Sequence, residues 1–125
     1  MGKRLTPQER AWREVKEKEL QADLMKLAKE WGWKPCHFHD SRRMVTRGGK
    51  SFMIGDADAK GFPDLVLARP PEILFVELKA ELGDTSPEQD EWLALLDGCG
   101  LTTMVIRPSN REILERKLMT RRPVS

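Results

Sequence analysis

Apolar residues first recur at helical spacing. Leu20, Leu24, Leu27 and Trp31 repeat every three or four positions until Gly32 ends the run. Upstream, Thr6-Pro7-Gln8-Glu9 offers Thr6 as a cap, Pro7 for the first helical position and Glu9 to complete a capping box, so the pattern predicts one helix over residues 6–31. Residues 33–39 read as a short strand, with Cys36 and Phe38 on one face, His37 and His39 on the other, and Pro35 marking its start or an edge. Met44-Val45-Thr46-Arg47 and Lys50-Ser51-Phe52-Met53-Ile54 flank Gly48-Gly49, the signature of a hairpin with a two-glycine turn. Strands over 64–69 and 73–80 follow, and their tight link through Pro70-Pro71 makes them antiparallel. Ser86-Pro87-Glu88-Gln89 repeats the capping-box pattern and opens a helix that ends near Gly98 and Gly100. A strand over 101–107 stops at Pro108, and Ser109 or Asn110 caps a last helix with Ile113, Leu114 and Leu118 on its apolar side. The order predicts an α/β fold in which helices flank a small mixed sheet.

Composition narrows the class. With 125 residues, 39% hydrophobic and 34% charged, the chain is expected to form a single domain over residues 1–125. No apolar run approaches the ~20 residues needed to span a bilayer, so no membrane association is expected. The start of the chain lacks an apolar segment after Lys3-Arg4, and two cysteines, Cys36 and Cys99, suit a reducing compartment. A soluble, cytoplasmic protein is the expectation. The net charge of +2 hides a segregation: residues 56–106 carry three Lys/Arg against eleven Asp/Glu, while the segments on either side are net basic. Basic flanks around an acidic centre suit a polyanion held at the periphery and a divalent cation in the middle, although a scattered solvated surface has the same composition. Between Asp40 and Asp56 no acidic residue occurs, whereas Arg42, Arg43, Arg47 and Lys50 do. The hairpin is thus a candidate arm for phosphates, or equally a solvated loop.

The candidate chemistry lies in the strand over 73–80. Ile73-Leu74-Phe75-Val76-Glu77-Leu78-Lys79-Ala80 is apolar on both faces, which marks a central, covered strand. Glu77 and Lys79 nevertheless continue the row of Ile73 and Phe75. Charges in a buried row are costly unless paired or bound to a metal; a Glu–Lys pair at a fraying strand end is the plainer alternative. Asp64 begins the neighbouring strand after Gly61-Phe62-Pro63, and antiparallel pairing can bring it beside Glu77. Two carboxylates so placed can hold Mg²⁺ or Mn²⁺, and an adjacent lysine can orient the attacking water or neutralise phosphate charge. Taken alone, Asp64 could simply be a turn residue. Cys36, His37, His39 and Cys99 are zinc-ligand types, but Cys36 and His39 point to opposite faces of a strand and no second spaced pair exists. A buried cysteine and ordinary strand histidines are expected there.

Three segments together resemble the VRR-NUC family of the PD-(D/E)XK nuclease superfamily: Gly61-Phe62-Pro63-Asp64-Leu65-Val66-Leu67, Phe75-Val76-Glu77-Leu78-Lys79, and Ser86-Pro87-Glu88-Gln89 followed by Trp92-Leu93. The likeness covers residues 17–108 and is of the small stand-alone kind found in phages and bacteria. It implies a nuclease-like mixed sheet flanked by helices, with Asp64 and Glu77 as metal ligands, the Leu78 carbonyl as a third, and Lys79 as the catalytic lysine. Gln89 matches a glutamine near the family's active site, although it could merely close the capping box. His37 and the segment Asp40-Ser41-Arg42 resemble a stretch suited to DNA contact. The 44–54 hairpin is longer than the resemblance leads one to expect. The implied activity is a Mg²⁺-dependent DNA endonuclease acting on branched or otherwise structured DNA, with a homodimer as the working unit in a bacterial cell or phage-infected host. A non-catalytic DNA-binding module, or a structural subunit that keeps the fold, is the alternative.

A helix-1 glutamate also belongs to the family pattern, and Glu17 and Glu19 are both candidates. With about 100° per residue and Glu17 at zero, the stripe of Leu20, Leu24, Leu27 and Trp31 centres near 310°. Glu17 then lies about 50° from its centre and Glu19 about 110°. Glu17 is therefore expected at the margin of the buried face, within reach of Asp64 and Glu77, and Glu19 in solvent.

Overall fold

The computed structural model describes residues 4–38, 43–54 and 60–120. The expected first helix is two. Helix α1 (Pro7–Glu14) carries the Thr6/Glu9 capping box, and Val15 closes it in an extended conformation before α2 (Glu17–Glu30) begins. No proline or glycine marks this break. In a continuous helix Val15 would stand about 140° around the axis from Leu20. The break lets it pack instead against the same core as Leu20, Leu24 and Ala28. Those three residues form the buried stripe of α2, spaced four apart; Leu27 is only partly buried and Trp31 is 40% exposed. The small Ala28, which the spacing of large apolar residues passes over, is fully buried in the core, with Leu27 packed at its edge.

Strand β1 (Lys34–His37) is followed by the hairpin of β2 (Arg43–Arg47) and β3 (Lys50–Ile54), then β4 (Leu65–Arg69), β5 (Glu72–Leu78), α3 (Pro87–Gly98) and β6 (Thr102–Ile106). A short 3₁₀ turn (Pro108–Asn110) leads into α4 (Arg111–Leu118). The hairpin pairs Arg47 with Lys50 across Gly48-Gly49, as its turn residues require; both glycines have positive φ. It forms its own two-stranded sheet. The main sheet has the order β1-β4-β5-β6, antiparallel except for the parallel pair β5-β6, which α3 connects by the crossover that parallel strands need. This is the mixed, helix-flanked sheet anticipated from the pattern.

Alternation divides the sheet into two faces. Leu65, Leu67, Leu74, Val76, Leu78 and Ile106 are buried with Leu20, Leu24 and Ala28 of α2 and Leu114 and Leu118 of α4. Each fully buried leucine there contributes about 1.5–3 kcal/mol. Ile113, expected on the same side of α4, is 58% exposed. Asn110 precedes α4 without a side-chain cap; its carboxamide instead accepts the Arg107 N–H at 2.6 Å and donates to the Val105 carbonyl at 3.1 Å. The opposite face carries Asp64, Phe75 and Glu77 and is overlaid by α3 and the loop before β4. Phe62 of that loop packs edge-on against Phe38, Phe75 and Trp92.

Candidate active site

The register that pairs Leu65 with Val76 brings Asp64 opposite Glu77 at one end of the two central strands. Two features fix Asp64 there. Its carbonyl accepts the Phe38 N–H at 2.8 Å, and its carboxylate accepts the Leu78 N–H at 3.0 Å. The approach is set by Gly61, whose φ is +83° and whose added Cβ would lie 2.5 Å from the Glu88 backbone carbon. Only glycine lets the loop press so closely on the start of α3. Lys60 also ties this loop to α3, through its ion pair with Glu88 at 3.2 Å and through its carbonyl, which accepts the Trp92 indole N–H at 3.1 Å.

Glu77 is 1% exposed. Its Oε1 accepts the Gln89 side-chain N–H at 2.9 Å, while, among the described residues, no neighbouring donor group reaches its buried Oε2. Burial, then a hydrogen bond with the neighbouring Asp64 carboxylate and its charge, push Glu77 up to about 9, with Lys79 opposing them. Two carboxyl groups so placed can hydrogen-bond only while one keeps its proton, so ionising Glu77 without a cation is costly. The Lys79 ammonium lies 3.9 Å from Glu77 Oε1 and is mostly buried.

Gln89 closes the capping box and also reaches Glu77. Its Oε1 accepts the Ser86 N–H at 2.8 Å and its own N–H donates to Ser86 Oγ at 3.2 Å, which completes the capping box. Its remaining amide group is thereby aimed at Glu77. Capping α3 and holding Glu77 are one arrangement of a single side chain.

Glu17 is exposed, and its Oε1 accepts the Ala80 N–H at 3.4 Å, next to Lys79. The observed stripe of Leu20, Leu24 and Ala28 centres about 20° from Glu17, closer than the expected stripe, whereas Glu19 stands about 140° away. Glu17 is exposed, rather than half-buried as expected, because it is the first residue of α2. Among the described residues no three His, Cys, Asp or Glu side chains gather into a metal site. The acidic donors brought face to face are thus Asp64 and Glu77.

His37 pairs with Leu65, on the sheet face opposite Asp64 and Glu77, so the register does not bring it to the carboxylates. Ser41 and Arg42, with His39 and Asp40, fall outside the described residues. Arg43 and Arg47 stand at the ends of β2, and Lys50 is exposed at the start of β3. Cys36 and Cys99 are free and exposed, which corrects the expectation of a buried cysteine. Arg107 was missed: its guanidinium donates to the Gly83 carbonyl in the loop that follows Lys79. A lone arginine after a strand carries no sequence signal for such a contact.

A mixed sheet with paired carboxylates and a lysine at the end of its central strands defines a PD-(D/E)XK-like nuclease domain. The chain belongs to the VRR-NUC family, whose VRR-NUC domain matches residues 3–110. VRR-NUC is a nuclease domain, and DNA is the substrate class it implies. Comparison with curated proteins finds no match, and neither does comparison with solved structures. Among the described residues no helix is long and apolar enough to cross a membrane.

Proposed function

We propose that this chain is a divalent-metal-dependent DNA endonuclease whose site is built from Asp64, Glu77 and Lys79. The observation that supports the reading is the buried pairing of Glu77 with Asp64, two carboxyl groups that can stay together without a cation only while Glu77 keeps its proton. Oxygen donors in this number suit Mg²⁺ or Mn²⁺, which keep several waters and take only one or two carboxylates. Asp64 and Glu77 would hold the ion, with the Leu78 carbonyl as a third donor and Glu17 as an outer one. When bound, such a cation supplies Lewis-acid stabilisation of charge on a phosphodiester.

The chain's own residues do the rest. Lys79 presents a positive charge beside the carboxylates, where it can neutralise a phosphate oxygen or orient the attacking water. Gln89 holds one oxygen of Glu77, so that the carboxyl group faces Asp64 in one orientation. Asp64 is restrained from two sides through Phe38 and Leu78. Arg42, Arg43, Arg47 and Lys50 supply positive charge suited to DNA phosphates, with His37 and Ser41 as neighbouring contacts. Branched or otherwise structured DNA is the proposed substrate and a homodimer the proposed working unit, since two sites are needed to cut two strands. The protein acts in the cytoplasm on this reading.

The test is cleavage of labelled flap, splayed-arm, four-way-junction and duplex DNA with Mg²⁺, Mn²⁺ or EDTA. Internal cuts that require the cation, strongest on a branched substrate, are expected. Binding without cleavage under every condition would favour a non-catalytic DNA-binding module instead.

A further inference from the structure

Lys79 is held mostly by things other than its charge. Its ammonium is 3.9 Å from Glu77, too long for a hydrogen bond. Its backbone N–H donates to the Ile106 carbonyl at 3.0 Å, and beyond it the chain turns back, with the Gly83 N–H donating to the Ala80 carbonyl at 3.0 Å. This turn lays Gly83 against the lysine stem: a Cβ on Gly83 would lie 3.7 Å from Lys79 Cδ. The Gly83 carbonyl accepts two N–H groups from one guanidinium, Arg107 Nη2 at 2.9 Å and Nε at 3.3 Å. Arg107 follows Ile106 directly, so consecutive residues of one strand end hold both the backbone of Lys79 and the wall beside its stem. The Asn110 carboxamide accepts the Arg107 N–H, and Glu81 of the same turn accepts the Ser109 N–H at 3.0 Å.

We infer that Arg107 is a positioning residue for Lys79, acting through Gly83; the inference rests on the nuclease reading above. A lysine stem has several rotatable bonds and wanders unless something confines it. A planar guanidinium can place two N–H groups on one carbonyl, which an ammonium on a flexible stem cannot reproduce in the same geometry. Arg107 therefore restricts Lys79 to the conformations that face Glu77, acting through the Gly83 wall.

The experiment compares Arg107→Ala and Arg107→Lys in the full chain, in parent and Lys79→Ala backgrounds, by single-turnover cleavage. It adds DNA binding in Ca²⁺ and amide hydrogen exchange. In the parent background Arg107→Ala is expected to slow cleavage by about 10²-fold, the scale of a catalytic group misplaced by an ångström. Arg107→Lys should fall between the two. DNA affinity should be unchanged, and the Gly83 amide should lose protection while the Lys79 amide keeps it. In the Lys79→Ala background, assayed at enzyme excess over hours, Arg107→Ala should change the residual rate less than about 2-fold, because coupled residues are not additive. An equal slowing in both backgrounds would overturn the inference, as would unchanged cleavage in the parent. Absence of cleavage by the parent protein would defeat the nuclease reading instead. The structural half of the inference, that Arg107 holds Gly83 against the Lys79 stem, is then decided by exchange: it stands if Gly83 protection is lost and falls if that protection persists.

Discussion

The protein buries two ionisable side chains among its described residues, Glu77 and Arg69, at opposite ends of the central strands, and it treats them differently. Arg69 is 3% exposed at the end of β4. Its guanidinium donates to the Trp31 carbonyl at 3.0 Å and to Thr120 Oγ1 at 3.2 Å, and it lies 4.5 Å from the centre of the Trp33 ring. Trp33 in turn donates to the Leu118 carbonyl at 2.9 Å. That end joins the end of α2 to the end of α4 and leaves its buried charge well supplied with partners. Glu77, one strand away and about five residues along, is buried as deeply but faces a second carboxylate, Asp64, which it can hydrogen-bond only while it keeps its proton. The first arrangement is a fastening; the second is complete only with a ligand that brings positive charge.

If that contrast is right, damage at the two ends should separate activity from stability. Asp64→Ala, Glu77→Ala and Lys79→Ala should each reduce cleavage by at least roughly 10²–10³-fold, the scale seen when a preorganised charge partner is removed. DNA binding in Ca²⁺ should survive in Lys79→Ala, and a filter-binding assay beside a cleavage time course reads both. Undiminished cleavage by any of the three would remove that residue from the site.

Arg69→Ala should do the reverse. It strips the donors from the Trp31 carbonyl and Thr120 and removes the guanidinium from the Trp33 ring, a loss of about 2–4 kcal/mol. Urea denaturation should show that loss, while cleavage well below the melting transition stays near parental. A variant that is as stable as the parent but inactive would break the comparison.

Gly61→Ala should act on the site through the loop that supports it. Its Cβ would meet the start of α3 at a φ that alanine rarely adopts, so about 1–3 kcal/mol of strain is expected, together with slower cleavage as Gln89 is pushed from Glu77. Equilibrium unfolding and single-turnover rates measured together check both halves.

The smallest effect should distinguish the two glutamates of α2. Glu17→Gln should raise the Mg²⁺ needed for half-maximal cleavage several-fold, about 1 kcal/mol or less for an outer contact. Glu19→Gln should match the parent in the same titration. Equal behaviour of the two would mean that the Glu17–Ala80 contact contributes nothing to the site.

Much of this was legible in the chain because local rules act there without competition. Gly48-Gly49 set the hairpin register, Ser86 and Gln89 announced their reciprocal cap, and the short Pro70-Pro71 link brought Asp64 opposite Glu77. What stayed hidden depends on contacts distant in sequence. The break after Glu14 answers the need of Val15 for the core and has no local marker. Ala28 joins the buried stripe and Trp31 leaves it, because which face of α2 is buried depends on the sheet it packs against rather than on side-chain size along the helix. Arg69 and Arg107 read as ordinary surface arginines until the fold supplies the carbonyls they bond. Gln89 was ambiguous because its local and its distant roles use the same residue.

The most direct test is thermal melting of the parent and of Glu77→Gln, with EDTA and with Mg²⁺ or Mn²⁺, across pH. An unfolded glutamate gives up its proton near the ordinary 4.5, whereas folded Glu77 keeps it until about 9. Between those values the unfolded chain binds fewer protons at this residue, so in EDTA its contribution to stability is present in acid and is lost as pH rises. The account predicts that the parent in EDTA melts progressively lower from pH 5 to pH 9 relative to Glu77→Gln, which lacks this titration. A divalent cation should restore the parent at high pH and leave Glu77→Gln unmoved. A parent that stays the more stable of the two in EDTA at high pH, with no response to the cation, would contradict the claim that Glu77 is buried to receive a metal.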